Sequence, residues 1–303
     1  MQGHSLDRSQ LRSRYRFTGA LVLDTALHIG GGRESSTVTD SPIVRNSVGQ
    51  PIIPGSSFKG AFRASVERLL ANLPGFSTCG LEKNGSCLSV NENLGRDYRR
   101  VSEAAGRGIA LGLGENDTAR EDRAALGRLK RKDWIGKELD ESHLLDLLAE
   151  YLCDTCKTFG SVYLAAAAHF HDLPVVEPWA ETTQIRDGVG IDRDSERAMD
   201  QIKFDYEIVP AQTHFAFSLT LESPTERDLR LAALGLYEFA QGMIPLGGIR
   251  SRGLGRCHLE DLQVATVDFA DGASLRKYFV EGWPNAGPAD DFIRQQIAAL
   301  LPA

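Results

Sequence analysis

Four of the five cysteines are spaced in a way that could bind a metal ion. Two form a CxxC pair and two lie further apart, and together they match the ligand set of a tetrahedral four-thiolate zinc site. The candidate ligands are Cys79, Cys87, Cys153 and Cys156. A redox CxxC normally follows a strand, whereas this pair follows a predicted helix, and unrelated buried thiols are the remaining alternative. The spacing favours structural Zn²⁺, and Cys257, on a predicted strand, is expected in the core.

Two glycine-rich loops could bind phosphate through their backbone N–H groups. One is Gly30-Gly31-Gly32, and the other runs from Gly247 to Gly255. Closely approaching N–H groups can hold an anion without a large basic patch. Neither loop has the GK[ST] ending of a Walker motif or the spacing of a dinucleotide fingerprint, so composition alone favours ordinary turns.

One carboxylate and one imidazole lie beside the first glycine loop. Asp40 ends a polar segment and precedes Ser41-Pro42, so it could act as a catalytic carboxylate or simply form a turn. His28 lies at the end of the preceding strand, where it could be a general acid or base. A histidine in that position more often only completes a strand, so the sequence leaves both roles open.

Predicted elements in the first part of the chain would position these residues. A β-rich segment from Tyr15 to Ile29 enters the first glycine loop. Ser56 and Ser57 are placed to cap the helix that follows. That helix would bury an apolar stripe on a sheet, formed by Phe58, Phe62, Val66, Leu69 and Leu70.

The same order of elements returns near the C-terminus. Alternation predicts a strand over 215–221, helical spacing predicts a helix over 229–240, and a further strand carries Cys257. Another strand is expected from Val162 to Phe170. Strand, helix and strand at each end predict an α+β fold with a split βαβ, ferredoxin-like core.

Two segments interrupt this predicted core. Residues 73–156 hold the four candidate metal ligands and end in a leucine-rich helix, so we expect an insertion. Because the segment is poor in apolar residues, metal ligation would replace a hydrophobic core as its source of folding free energy. Residues 174–206 are polar and predict a long exposed hairpin or arm, which a compact domain retains for a function.

The net charge of −7 limits where a nucleic acid could bind, because phosphate binding normally requires a basic surface. Any such site must be a local stripe. The second glycine loop is one candidate, and the other is the basic run Arg120, Arg123, Arg128, Lys130, Arg131 and Lys132. A solvated helix face, balanced by neighbouring acidic residues, explains the run equally well.

No segment reaches the roughly 18 apolar residues that a membrane-spanning helix requires, and the N-terminus has no apolar signal-peptide core. We therefore expect a cytoplasmic protein without a membrane partner. In a reducing cytosol the cysteines are expected to be thiols or metal ligands rather than disulfides.

Several of these motifs, taken in order, resemble one known family. Leu27–Gly32, Asp40–Arg45 and Ile53–Gly60 are similar to the N-terminal signature of the RAMP-superfamily backbone subunits of type III CRISPR effector complexes. The remaining blocks of that family resemble Phe159–Ser161, Gly188–Arg193, Glu207–Pro210 and Leu246–Gly255. The resemblance covers about residues 17–265.

The resemblance implies an RRM-like palm formed by residues 14–72 and 157–268, with a protruding thumb hairpin at 181–206. Residues 73–156 would be an inserted zinc-knuckle region, similar to those of subtypes D and E, and 269–303 a helical tail. Such subunits stack along a guide RNA, and their thumbs interrupt the guide–target duplex at regular intervals.

The resemblance also implies an endoribonuclease. Asp40 aligns with the aspartate that cleaves target RNA in that family, and Mg²⁺ or Mn²⁺ is the expected cofactor for cleavage. The expected RNA-binding residues are His28, Gly30, Gly31, Ser57, Lys59, Arg63, Arg186, Arg193, Arg250 and Arg252. The implied partners are guide RNA, target RNA, further copies or related RAMP subunits, and other subunits of the complex.

Three other functions stay open at this point. The chain could be a structural RNA-binding subunit without cleavage, or a repeat-processing RAMP endoribonuclease that uses His28. The Asp40-Ser41-Pro42 block and the separate Lys-Gly helix start favour the backbone subunit over the repeat-processing enzyme. A zinc-stabilised protein-interaction module without an RNA role is the third alternative.

Overall fold

The chain folds into two compact units in a computed structural model that describes residues 6–31, 39–79, 85–179, 182–191 and 198–300. The helical unit consists of Glu67–Ala168, Ser223–Leu229 and the N-terminal segment up to Arg12. The sheet unit consists of Ser13–Val66, His169–Glu222 and the segment that begins at Arg230. Among the described residues, no helix is both long and apolar enough to cross a membrane.

The strands form one larger sheet and two small ones. They are β1 (Ser13–Leu23), β2 (Ile52–Ile53), β3 (Ala168–Phe170), β4 (Leu173–Pro174), β5 (Gln184–Ile191), β6 (Ala198–Ile208), β7 (His214–Glu222), β8 (Cys257–Asp268) and β9 (Gly287–Pro288). The five-stranded sheet has the order β3-β7-β1-β8-β9, and its central strand β1 pairs antiparallel with both β7 and β8. The pairs β2-β4 and β5-β6 are antiparallel two-stranded sheets.

The described residues also form eight α-helices. They are α1 (Gly55–Leu70), α2 (Glu92–Arg107), α3 (Asp117–Arg128), α4 (Glu141–Tyr151), α5 (Asp154–Phe159), α6 (Glu226–Ala240), α7 (Gly272–Glu281) and α8 (Asp290–Ala298). The fold is thus a mixed α+β fold with an antiparallel sheet, as the sequence predicts.

One face of the large sheet carries the core of the sheet unit. Alternate residues of β7, such as Phe215 and Phe217, are almost completely buried, which is the period-two pattern of a half-covered sheet, and Phe17 of the neighbouring β1 is buried as well. The rings of Phe58 on α1 and Phe239 on α6 stack with centroids 4.3 Å apart, and Phe217 packs 5.4 Å from Phe58. Burying each such side chain contributes about 1.5–3 kcal/mol, so these rings fix the two helices on the sheet.

The start of α1 differs from the prediction. We expected Ser56 and Ser57 to cap this helix, but the helix already includes them and begins at Gly55. The backbone N–H of Gly55 donates to Asp172 Oδ1 at 2.7 Å. A side chain at Gly55 would meet the carbonyl oxygen of Phe170 at 2.6 Å, so glycine is required for this approach. The cap therefore comes from a residue that lies 117 positions away, which local sequence does not reveal.

Two predicted strands are shorter than expected. The first strand ends at Leu23, although Leu27 still forms an isolated antiparallel bridge with Val209. The strand predicted from Val162 is limited to Ala168–Phe170. The predictions of a strand over 215–221, a helix over 229–240 and a strand from Cys257 are confirmed by β7, α6 and β8.

The helical unit has a hydrophobic core of its own, so the expectation that the cysteine-bearing segment lacks one is wrong. Side chains from α2, α3 and α4 are buried together, among them Val101, Leu126 and Leu147, each at 0% exposure. Three of the four candidate metal ligands belong to the same cluster. The helices supply these residues at helical spacing, which makes the core less visible than a continuous apolar run.

Candidate nucleic-acid interface and metal centre

Asp40 is exposed and is held in place by β6. Its backbone N–H donates to Asp205 Oδ1 at 2.7 Å, and the N–H of Asp205 donates to Asp40 Oδ2 at 3.2 Å. The hydroxyl of Thr39 also donates to Asp205 Oδ1, at 2.6 Å. Among the residues that the structure describes, nothing hydrogen-bonds to the second carboxylate oxygen of Asp40. An anchored carboxylate with an oxygen directed to solvent can accept a proton or ligate a cation.

His28 is buried and lies next to the segment that carries Asp40. Its Nδ1 lies 2.7 Å from the carbonyl oxygen of Glu207, which assigns the ring proton to Nδ1. The other ring nitrogen, Nε2, therefore accepts from the hydroxyl of Ser41 at 3.3 Å. The imidazole packs edge-on against Tyr206, with centroids 5.7 Å apart. These contacts suit a residue that positions the Ser41 segment.

Glu207 joins the same segment to β6 and was not singled out as a site residue from the sequence. Its carboxylate accepts the N–H of Ile43 at 3.1 Å and is bonded by the Arg45 guanidinium and the Thr183 hydroxyl. Burial of the carboxylate opposes ionisation, but these hydrogen bonds and the Arg45 charge outweigh it and lower the pKa of Glu207. The only sequence signal was that Arg45 and Glu207 fall in two blocks of the family resemblance.

The backbone of each glycine loop contacts a neighbouring segment, the first loop at Pro42 and the second at His28. The N–H of Gly31 donates to the carbonyl oxygen of Pro42 at 3.0 Å, and that of Gly248 donates to the carbonyl oxygen of His28 at 2.9 Å. Gly247 has a positive φ of 74°, and a side chain there would lie 2.3 Å from the same His28 oxygen. Glycine is therefore needed for the close approach, and the N–H groups of Gly31 and Gly248 are already used within the protein.

The charged groups of the second loop that face solvent are its arginines. Arg250 and Arg252 are exposed, and Arg250 Nε donates to the carbonyl oxygen of Gly247 at 2.8 Å. The guanidinium of Arg252 lies 5.6 Å from the ring centroid of Phe204 on β6. The structure thus brings His28, the glycine loops, Asp40 and the two arginines together around β6.

Ser57, Lys59 and Arg63 lie within the first nine residues of α1. Ser57 is exposed, and Lys59 and Arg63 are half-buried. Burial and the neighbouring charge of Arg63 lower the pKa of Lys59. A bound phosphate would relieve this repulsion, because an anion favours the charged form of both side chains.

The hairpin of β5 and β6 carries one further predicted RNA contact. Arg186 is exposed on β5, where it lies opposite Tyr206 in the antiparallel register. Arg193, also predicted to bind RNA, lies outside the described residues.

The four candidate metal ligands of the helical unit converge. The Sγ atoms of Cys79 and Cys87 lie 3.7 and 3.8 Å from that of Cys156, and all four sulfurs, including Cys153, lie within 4.8 Å of one another. A tetrahedral zinc site with Zn–S bonds of about 2.3 Å separates its sulfurs by about 3.8 Å. Burial and the neighbouring cysteines raise the pKa of Cys79 to about 12, and a bound cation would reverse that effect. The cluster could therefore hold a metal such as zinc.

The basic run of the helical unit is largely engaged within that unit. Arg128 forms two 2.7 Å hydrogen bonds with the buried carboxylate of Asp97, which raises the pKa of Arg128. Arg131 pairs with Glu150, and Arg123 donates to two backbone carbonyls. These contacts favour the alternative in which the run stabilises a helix face.

Comparison with known families identifies the class. The model of the RAMP superfamily matches residues 20–258, which run from the end of β1 through both glycine loops to the start of β8. The chain belongs to the RAMP superfamily, and this confirms the family resemblance seen in the sequence.

Individual relatives carry a more specific name. The "CRISPR system Cms endoribonuclease Csm3" of Methanocaldococcus jannaschii is 38% identical over 65 residues, which are 21% of this chain and 26% of that protein. The protein of the same name from Enterococcus italicus is 44% identical over 66 residues, 21% of this chain and 31% of the relative. These matches thus span about a quarter to a third of the relatives' length. The Streptococcus thermophilus protein of that name is 25% identical over 258 residues, 84% of this chain and 91% of the relative.

Proposed function

We propose that the chain is a guide-RNA-binding backbone subunit of a type III CRISPR effector complex that cleaves guide-paired target RNA at regular intervals. The observation that carries this proposal is the family match over 20–258, together with relatives named as CRISPR endoribonucleases. The exposed and anchored position of Asp40 adds a chemical group that suits cleavage. Such a complex would act in the cytoplasm.

Within this proposal, residues 14–72 and 157–268 form the RRM-like palm. The strand order β3-β7-β1-β8, with α1 after β1 and α6 between β7 and β8, supports a split βαβ, ferredoxin-like arrangement. The hairpin of β5 and β6 supports a thumb at 181–206. Residues 73–156 are the inserted zinc-knuckle region, and 269–303 are the C-terminal tail.

The proposed RNA contacts fall on three parts of the sheet unit: the glycine loops, the start of α1 and the hairpin. The expected residues are His28, Gly30, Gly31, Ser57, Lys59, Arg63, Arg186, Arg193, Arg250 and Arg252. The exposure of Arg186, Arg250 and Arg252 supports their part, whereas the burial of His28 gives it a positioning role. Because the chain is acidic overall, such local basic groups would guide RNA to these sites.

The proposed cleavage uses the RNA's own 2′-hydroxyl. The thumb splays one nucleotide, and its 2′-oxygen bonds to the adjacent phosphorus while the bond from phosphorus to the 5′-oxygen breaks. The leaving 5′-oxygen takes up a proton from water, so the products are a 2′,3′-cyclic phosphate and a 5′-hydroxyl. Asp40 accepts the hydroxyl proton or helps to hold a divalent cation, and alignment of the attacking oxygen supplies much of the rate.

The carboxylate of Asp40 fits a hard divalent cation. Asp205 holds Asp40 in place, and carboxylate oxygens are the ligands that Mg²⁺ and Mn²⁺ prefer. The cation would neutralise charge that develops on the phosphate oxygens.

The cysteine cluster has a structural part in the proposal. Four thiolates would close the coordination sphere of Zn²⁺, which leaves no open position for substrate. The ion would join the segment around Cys79 and Cys87 to the start of α5.

RNA content of the purified full chain tests the proposed function. Expressed together with a CRISPR array and its processing enzyme, the chain should copurify with a nuclease-protected RNA of defined length. Protein without such RNA would contradict the proposal and favour a zinc-stabilised protein-interaction module. Protein that binds guide RNA and target without cutting would favour the purely structural subunit. Cleavage of repeat RNA by the chain alone would favour the repeat-processing enzyme.

A further inference from the structure

The helical unit carries a row of exposed arginines on α2. Arg96, Arg99 and Arg107 all have exposed side chains. None of the three makes an ion pair or a side-chain hydrogen bond with any residue in the described part of the chain. At the helical rise of about 1.5 Å per residue, the row from Arg96 to Arg107 is about 16 Å long.

Nearby carboxylates neutralise this row only in part. Arg100, in the same helix, pairs with Glu121 and Asp122, and Asp97 pairs with Arg128. Glu92 is four residues from Arg96, and Glu103 is four residues from both Arg99 and Arg107, so both carboxylates share the helix face of the row, although within the described residues neither forms an ion pair. Three arginines against two carboxylates leave one net positive charge exposed here, although the whole chain is acidic.

Two grooves include residues of the row. The first, about 460 Å³ in volume, is lined by four arginines and two carboxylates: Arg96, Arg99, Arg100, Arg107, Glu103 and Asp122. The second, about 340 Å³, shares Arg96 and Arg99 and also contains Asn91, Glu92 and Tyr163. Both volumes fall in the range of about 300–1,000 Å³ that is usual for ligand sites. Two grooves that share the same two arginines fit an extended chain better than a single small anion.

We propose that the arginine row of α2 binds the phosphate backbone of a single-stranded RNA segment that runs through these two grooves. Every basic residue of α2 is arginine, whose planar guanidinium bonds phosphate through two N–H groups at once. A polyanion with a charge at each nucleotide can contact several members of the row together. The inference rests on the proposed function for the choice of RNA as the polyanion, and it adds an RNA contact on the helical unit.

Salt-dependent RNA binding by the full chain tests the inference. The probe is a fluorescein-labelled oligouridine, and its affinity is measured over a salt series by fluorescence anisotropy. The test variant combines Arg96→Gln, Arg99→Gln and Arg107→Gln. Each lost contact with a single strand reduces the magnitude of the slope of log affinity against log salt by about 0.7. The slope of the triple variant should therefore be smaller than that of the wild type by about 2.

Two further variants separate charge at the row from net charge and from folding. The matched control combines Arg68→Gln, Arg276→Gln and Arg294→Gln, exposed arginines on three other helices, and should keep the wild-type slope. The combination of Arg96→Lys, Arg99→Lys and Arg107→Lys keeps the charges and should keep most of the slope.

The outcomes distinguish this inference from the proposed function. If the wild-type chain binds oligouridine and the triple glutamine variant has the same salt slope as the wild type, only the inference about the arginine row is overturned. Loss of assembly between copies in that variant, with an unchanged RNA slope, assigns the row to an acidic protein surface and also overturns the inference. A wild-type chain that binds no RNA overturns both.

Discussion

Asp40 and Asp205 hold each other in place through reciprocal hydrogen bonds. Each backbone N–H donates to the other residue's carboxylate, at 2.7 Å to Asp205 Oδ1 and 3.2 Å to Asp40 Oδ2. The two residues are 165 positions apart in the sequence. The loop that carries the proposed catalytic carboxylate is therefore fixed by a strand of the hairpin, so geometry at the site depends on both.

The first prediction is that Asp40→Ala abolishes target cleavage and preserves binding. Removal of a proton acceptor or cation ligand typically costs about 10²-fold or more in rate, whereas one carboxylate adds little attraction for polyanionic RNA. The measurement is cutting of end-labelled complementary RNA by a guide-loaded complex with Mg²⁺ or Mn²⁺. Asp133→Ala, which changes an exposed aspartate of the helical unit, is the matched control. Cleavage at the wild-type rate would reduce Asp40 to a turn residue and make His28 the next residue to test.

The second prediction separates positioning from metal binding at Asp205. Asp205→Asn keeps an oxygen that can accept from Thr39 and from the backbone of Asp40. If Asp205 only positions the loop, the asparagine variant should retain most of the cleavage rate, whereas Asp205→Ala should lose at least tenfold. We expect this pattern, with target affinity little changed in both. Equal loss in the two variants would instead make Asp205 a cation ligand, and addition of more Mn²⁺ would then restore part of the rate.

The third prediction concerns the metal centre. Elemental analysis should find one zinc ion per chain, and Cys156→Ser should lower that content because it removes one of four ligands. Cys257→Ser is the matched control, since this buried thiol lies on β8 of the sheet unit and should leave the zinc content at one. A metal-free, fully stable wild-type protein would contradict the prediction.

Chelation should lower Tm without unfolding the helical unit completely. Metal ligation contributes folding free energy, but this unit also buries a core of its own. Far-UV circular dichroism of the zinc-free protein should therefore retain most of its helical signal. Complete loss of that signal would show that the core depends on the metal.

Local patterns predicted the elements well, and tertiary contacts explain the differences. Alternation in β7 and helical spacing in α6 were visible because each element buries one regular face. The beginning of α1 was not visible in the sequence, because its first N–H donates to Asp172, which is distant in the chain. The core of the helical unit was missed because its buried residues are contributed by several short helices.

The candidate site was only partly visible in the sequence. The spacing of the cysteines suggested a cluster, and the structure brings all four sulfurs together. Only the family resemblance favoured a catalytic role for Asp40 over a turn, because its partner Asp205 lies on a distant strand. Glu207 was missed for the same reason, since its bonds to Ile43 and Arg45 cross from one part of the chain to another.

The fourth prediction is that charge reversal at Lys59 or Arg250 weakens guide-RNA retention. Each side chain would contact phosphate, so Lys59→Glu and Arg250→Glu should each lower RNA affinity and reduce the salt dependence. Lys277→Glu, at an exposed position on α7, is the matched control. Guide retention that neither reversal changes, and that added salt does not weaken, would place the RNA elsewhere.

The fifth prediction is a pH-dependent contribution of Glu207 to stability. The pKa of this carboxyl is lowered in the folded state, so its contribution is present above its unfolded pKa, about 4.3, and is lost as the pH falls through the folded value. Glu207→Gln removes the charge that pairs with Arg45, and a buried hydrogen bond to a charged group contributes about 1.5–3 kcal/mol. At pH 7 the variant should therefore melt several degrees below the wild type. Thermal unfolding measured from neutral to acid pH should show this gap closing below about pH 4.3.

Glu281→Gln, which changes an exposed carboxylate at the end of α7, should show no gap at any pH. A Glu207→Gln gap that persists unchanged in acid would mean that the side chain's shape, rather than its charge, holds the Asp40 segment to β6.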